Sequence, residues 1–148
     1  MNDEILHLTY DVIVVGSGGA GSAAAHAASG AGAKVLVVSK DPVGCSDSKI
    51  AEGIVTVRGS AEDTDSHEVL SENLRLAGGD LPVPEITNAF AADSEEAYDW
   101  LRRQGVRPRI DSERGKPVVM AIPLGGHNRR RSVAHDNGGL AVGNAAWN

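Results

Sequence analysis

Apolar positions follow two different patterns along the chain. Short unbroken runs predict strands over Asp11–Val15 and Ala33–Ser39. Between them lies an alanine-rich stretch in which Ala20, Ala23, Ala24, Ala27 and Ala28 would let a helix lie flat on a sheet. Further on, the spacing turns helical. Leu70, Leu74 and Ala77 share a face, with Ser66 as a cap and Gly78 as a stop. Pro84 suits a helix start, with Ile86 and Phe90 on one face. Asp93 and Glu96 have capping-box spacing, so a helix starts or restarts there, with a buried stripe of Ala97, Trp100 and Leu101 and an end at Gly105. Arg107–Ile110 and Lys116–Ile122 read as a hairpin joined by residues 112–115. The polar stretch Arg58–Ser66 reads as an exposed loop. Strand, helix and strand in this order predict an α/β fold with a parallel sheet.

The junction between the first strand and its helix narrows the class. It reads Gly16-Ser17-Gly18-Gly19-Ala20-Gly21, a three-glycine dinucleotide pattern in the strand–turn–helix–strand setting of a Rossmann-like unit. Gly16 permits the tight turn, Gly18 lets backbone approach a pyrophosphate, and Gly21 lets the helix pack close. The helix start supplies N–H groups and a positive dipole end. The ribose-binding acid usual at the end of the second strand is replaced by Ser39, followed by Lys40 and Asp41. Ser39 can still bond a hydroxyl. Lys40 fits either a solvated strand end or a 2′-phosphate, which keeps NADP open beside other dinucleotides.

The following residues decide between these cofactors by resemblance. Ser39-Lys40, then Ser46 and Ser48, then Ala51-Glu52-Gly53 resemble a Ser-Lys strand end, a Ser-His-Thr-like stretch and an Ala-Glu-Gly-Gly turn. Those motifs belong to the flavoprotein subunits of fumarate reductase and succinate dehydrogenase, and to L-aspartate oxidase. Later segments are similar too: 65–80, Pro84-Glu-Ile-Thr, Trp100–Val106, and Gly125-Gly-His-Asn-Arg-Arg-Arg followed by Asp136-Asn-Gly. The resemblance covers nearly the whole chain. It implies FAD as cofactor, with the loop from Ser46 to Gly53 around the flavin and ribityl portions. It also implies hydride transfer between flavin and a dicarboxylate of the succinate/fumarate or aspartate type. Asp47 stands where members with covalent flavin carry histidine, so FAD is expected to be non-covalent. Ile54 replaces the second glycine of the Ala-Glu-Gly-Gly pattern. The implied organisation is an incomplete FAD-binding domain: 1–60 for the dinucleotide and flavin loops, 61–106 helical, 107–148 hairpin and basic segment. Family members are several times longer, and their proton-donating arginine lies beyond the point matched by Asn148. A companion polypeptide or iron–sulfur subunit is therefore an expected partner.

Charge and composition narrow the rest. The 148 residues carry a formal charge of −6, with 41% hydrophobic and 23% charged residues and 18 glycines. An acidic chain argues against a general nucleic-acid or anionic-membrane binder. One cysteine, Cys45, leaves no internal disulfide or cysteine-ligated cluster within the chain. No stretch reaches the ~18 apolar residues of a membrane span, and nothing near Met1 has the pattern of a leader, so the expected location is the cytoplasm.

His127, Arg129 and Arg130 are the candidate substrate residues, because guanidinium groups pair bidentately with carboxylates. The competing reading is a solvated basic run. His26 and His67 read as packing or surface residues on helices. Asp47 and Glu52 suit loop hydrogen bonds better than acid/base work. His127, His135 and Asp136 match no metal-ligand spacing. Three readings stay open: an FAD-dependent oxidoreductase of the fumarate reductase type, an NAD(P)-binding dehydrogenase domain, and a non-enzymatic nucleotide-binding module that works with a partner chain.

Overall fold

The computed structural model describes residues 7–50, 54–61, 64–136 and 147. The first unit is β1 (Val12–Val15), α1 (Gly19–Gly30) and β2 (Val35–Val38). β1 and β2 pair in parallel, with Val12 opposite Val35 and Val15 opposite Val38. Parallel neighbours need a crossover, and α1 supplies it. The helix buries Ser22 and Ala25. Ala20, Ala23, Ala24 and Ala27 are exposed instead, so the expected alanine face is not the packed one. Small residues still make the contact, but the glycine turn sets the rotation of α1. An alanine methyl at Gly21 would collide with the Gly16 carbonyl oxygen.

A short helix α2 (Asp47–Ile50) leads to β3 (Ile54–Thr56), which pairs antiparallel with β4 (Ser132–Ala134). Ile54 lies opposite Ala134. The expected hairpin exists as an antiparallel bridge between Ile110 and Pro117, with a bond of 2.9 Å from Asp111 N–H to Lys116 O. Its second arm continues onto β4 through a Val119–Val133 bridge. The core of this layer is Val57, Tyr98 and Val133, flanked by Val55 and Val119.

Between β3 and β4 in sequence come α3 (His67–Ala77) and α4 (Pro84–Arg103). Ser66 caps α3 by accepting from Val69 N–H at 3.3 Å, and Gly78 ends it. Leu70 is fully buried, whereas Ala77 is exposed. α4 is one continuous helix of 20 residues. The restart expected at Asp93 does not occur, because Asp93 and Glu96 sit on its exposed side, where no chain break exposes N–H groups to cap. Its buried stripe is Thr87, Ala91, Ser94 and Tyr98. The expected faces are displaced: Ile86 and Phe90 are exposed, as is Ala97, while Trp100 and Leu101 are half-buried. Polar pairing explains the shift. Ser71 donates to Asn88 Oδ1 at 2.6 Å and to Thr87 Oγ1 at 3.0 Å, which turns that side of α4 toward α3. No helix among the described residues is long and apolar enough to cross a membrane.

Candidate functional site

The glycine turn is built by its neighbours. Gly16 donates to the Val38 carbonyl at 2.8 Å, which ties the end of β1 to the end of β2. Its φ of +104° lies where L side chains are strained, so glycine is required for conformation. Gly18 differs. Its φ is −76°, and a Cβ there would meet only Ser46 Cβ at 3.9 Å and Ser48 Oγ at 4.0 Å. The protein therefore tolerates a side chain at Gly18 sterically, and that open space is the cradle a Cβ would begin to fill.

Gly18 has no side chain with which to cap α1, so the first N–H groups of the helix depend on partners from elsewhere. Ser48 Oγ accepts from Gly19 N–H at 3.0 Å, bringing the loop after β2 onto the turn across 29 residues. Ser17 Oγ and Ser39 Oγ share a hydrogen bond of 3.0 Å. Ser39 is thus fixed by a hydroxyl, where an acid would have brought charge. The Ser17 carbonyl accepts from the Trp147 indole at 3.0 Å. Lys40 and Asp47 are exposed and Ser46 is half-buried. Ala51, Glu52 and Gly53 lie outside the described residues. The turn, its helix start and the Ser46–Ser48 edge together fit a pyrophosphate and its attached sugar.

The basic segment behaves differently from its expected role as a carboxylate clamp. Arg131 is buried and forms a fork with Asp65: Nε to Oδ2 at 2.7 Å and Nη2 to Oδ1 at 2.6 Å. Its Nη1 donates to Asn73 Oδ1 at 2.8 Å and to His127 Nδ1 at 3.2 Å. Asp65 was expected in an exposed loop, yet its side chain is only 1% exposed. Burial alone would raise its pKa. The bonds from Arg131 and from the N–H groups of Gly59 and Ser66, with the Arg131 charge, hold it below the usual carboxylate range. Burial and then the Arg131 charge depress the His127 pKa, against a smaller opposing pull from Asp65. Arg129 donates to the neighbouring Asn128 carbonyl at 3.0 Å. Arg130 lines a separate cleft that neither His127 nor Arg129 lines.

The remaining histidines are structural neighbours. His26 meets the Trp100 ring edge-on at 5.7 Å, and His67 pairs with Glu68 at 2.6 Å on the surface. His135 bonds the buried Tyr98 hydroxyl through Nε2 at 3.1 Å. No group of three metal-ligating side chains is present among the described residues.

Residues 11–145 match the family described as FAD binding domain. The chain is 35% identical over 104 residues to the fumarate reductase (cytochrome) of Shewanella frigidimarina, a match covering 67% of this chain and 18% of that protein. It is also 35% identical over 109 residues to the L-aspartate oxidase of Halobacterium salinarum, covering 72% of this chain and 20% of the other. An Escherichia coli quinol fumarate reductase structure superposes with a TM-score of 0.78 at 25% identity, over 95% of this chain and 24% of that one. The chain thus spans less than a quarter of the length of these relatives. The Ser-Lys, serine-loop and Gly-His-Asn-Arg motifs had pointed to the same group, and a dinucleotide turn with an open Gly18 suits FAD. With the match running over nearly its full length, the chain belongs to the FAD binding domain family.

Proposed function

We propose that the chain is the FAD-binding portion of a flavoprotein oxidoreductase acting on a dicarboxylate of the succinate/fumarate or aspartate type. The single observation that carries this reading is the glycine turn, where an open Gly18 faces Ser46 and Ser48 and the first N–H of the helix bonds Ser48 Oγ. In this reading Gly16 to Gly21 take the pyrophosphate. Ser39 and Lys40 take the adenosine end, and Ser46 to Gly53 take the flavin side. When bound, FAD supplies the hydride chemistry. This chain's residues hold and orient it. Residues 1–60 form the cofactor loops, 61–106 the helical support and 107–148 the hairpin and basic segment. FAD is held without a covalent link, since Asp47 offers no imidazole.

The full enzyme's substrate pocket draws on residues beyond this span, supplied by a longer polypeptide or by a companion chain, with an iron–sulfur subunit as electron partner. The location is the cytoplasm. His127 and Arg129 offer at most an edge of a carboxylate site, because Arg131 beside them is committed to Asp65.

Titration of the purified chain with FAD, NAD and NADP tests the cofactor assignment. FAD should bind in preference to NAD and NADP, and weakly, because this span carries only part of the enzyme, with a flavin band near ~450 nm in the bound fraction. Retention of NADP and exclusion of FAD would overturn it.

A further inference from the structure

The backbone of the glycine turn is pinned at several points. Gly16 N–H is tied to Val38, the Ser17 hydroxyl to Ser39, and Gly19 N–H to Ser48. The Ser17 carbonyl is taken by the Trp147 indole at 3.0 Å. Gly18 N–H is the exception, with no acceptor among the described residues. The Ser17–Gly18 peptide is trans, so its carbonyl and its N–H point to opposite sides. The indole on the carbonyl therefore fixes the direction of the unpartnered Gly18 N–H, which points away from the ring.

Trp147 reaches the turn from 130 residues further along the chain. Ser17 is only 4% exposed, so its carbonyl has little access to water and needs a protein donor. An indole N–H donates and cannot accept, which suits a carbonyl and nothing else in this place. The ring also lies on the loop after β2. A methyl at the buried Gly44 would stand 3.3 Å from Trp147 Cδ1 and 3.8 Å from Cγ. One side chain thus touches both the glycine turn and the loop that carries Ser46 and Ser48.

We propose that Trp147 is a positioning residue for the nucleotide. By holding the Ser17 carbonyl, it presents Gly18 N–H to the pyrophosphate of the dinucleotide. The inference rests on the assignment of the glycine turn to FAD, and it adds a residue that acts on that site through the Ser17–Gly18 peptide.

The test compares the whole chain with Trp147→Phe, which keeps a ring over Gly44 and removes the donor. Equilibrium binding is measured with FAD and with ADP, which share the linked phosphates. Both dissociation constants should rise about 5-fold, the loss of one neutral hydrogen bond. In ligand-free, nitrogen-15-labelled chain the Gly18 amide should shift, since its nitrogen is bonded to the carbonyl that loses its donor. The Val14 and Val37 amides and the melting temperature should stay as in wild type. A lowered melting temperature with shifts spread over β1 and β2 would overturn the proposal in favour of a packing role. Unchanged FAD and ADP affinities in Trp147→Phe, with Gly18→Val binding neither, would overturn the role of Trp147 and leave the turn as the FAD site. FAD binding retained by Gly18→Val would overturn the assignment of the turn and this inference with it.

Discussion

Asp65 and Arg131 lie 66 residues apart in sequence and meet in the interior through two parallel hydrogen bonds, with both side chains 1% exposed. The pair joins the loop before α3 to the start of β4. Asn73 and His127 complete the shell around the guanidinium. A buried pair of this kind does not stabilise much relative to apolar residues of the same shape, but breaking it leaves a buried charge unpaired. Arg131→Met alone should therefore destabilise the chain by ~3–5 kcal/mol, and Asp65→Asn should cost a similar amount. The double variant should cost clearly less than the two combined. Urea denaturation of the three variants checks this. Additive losses would show that the two side chains act independently.

Acid should weaken the same cluster in two stages. Asp65 has a depressed pKa, so its contribution is present above the unfolded carboxylate pKa and is lost as pH falls through the folded value. His127 is also depressed, and for an imidazole this means that the unfolded chain binds its proton first. Its loss begins as pH falls below about 6.5, the ordinary imidazole value, and continues to its lower folded pKa. His127→Asn keeps an acceptor near Arg131 and removes the titration. Its stability should be flatter than wild type in the upper window while the acid limb below pH ~4 persists. Identical slopes in the upper window would remove His127 from the account.

The turn between β1 and α1 was readable because it is local. Apolar runs, glycine spacing and the small residues of α1 all lie within 30 residues, and Gly16 and Gly21 have a conformational and a steric duty that glycine alone meets. β4 was not readable. Ser132-Val-Ala is short, and its pairing with β3 depends on residues 76 to 80 positions away, Thr56 opposite Ser132 and Ile54 opposite Ala134. The Asp65–Arg131 pair was hidden for the same reason, since a run of arginines looks solvated until a distant acid is known to face it. On α4 the large apolar residues misled. Ile86 and Phe90 are exposed, while Thr87, Ala91 and Ser94 pack against neighbours through small volume and hydroxyl bonds. Ser48 bonds the turn through Gly19 N–H and Ser39 bonds Ser17, contacts across 29 and 22 residues that the order of residues alone does not display.

The proposed non-covalent attachment of FAD rests on Asp47, which is exposed at the start of α2. A carboxylate there cannot make the histidyl link of covalent members. Acid precipitation of the FAD-loaded chain should release all flavin into the supernatant. Yellow colour remaining with the denatured polypeptide would show a link through another residue.

Two glycines of the turn should fail in opposite ways. Gly18 has an ordinary φ and room for a Cβ, with its nearest contacts at 3.9 and 4.0 Å. Gly18→Val should leave the fold nearly as stable as wild type and fill the space the pyrophosphate must enter, so FAD binding should vanish while the melting transition stays. Gly21 is the reverse case. An added methyl meets the Gly16 carbonyl and approaches Val14 Cγ1 at 3.4 Å, so α1 must move off β1. Gly21→Ala should cost ~1–3 kcal/mol of stability, the usual range for forced overpacking. Its FAD affinity should fall only as far as the turn is displaced. Thermal melts with and without FAD separate the two effects. Ligand-induced stabilisation should be absent in Gly18→Val and present, from a lowered baseline, in Gly21→Ala. Full FAD stabilisation of Gly18→Val would mean that the pyrophosphate does not cross this turn, and the cofactor site would have to be sought elsewhere in the chain.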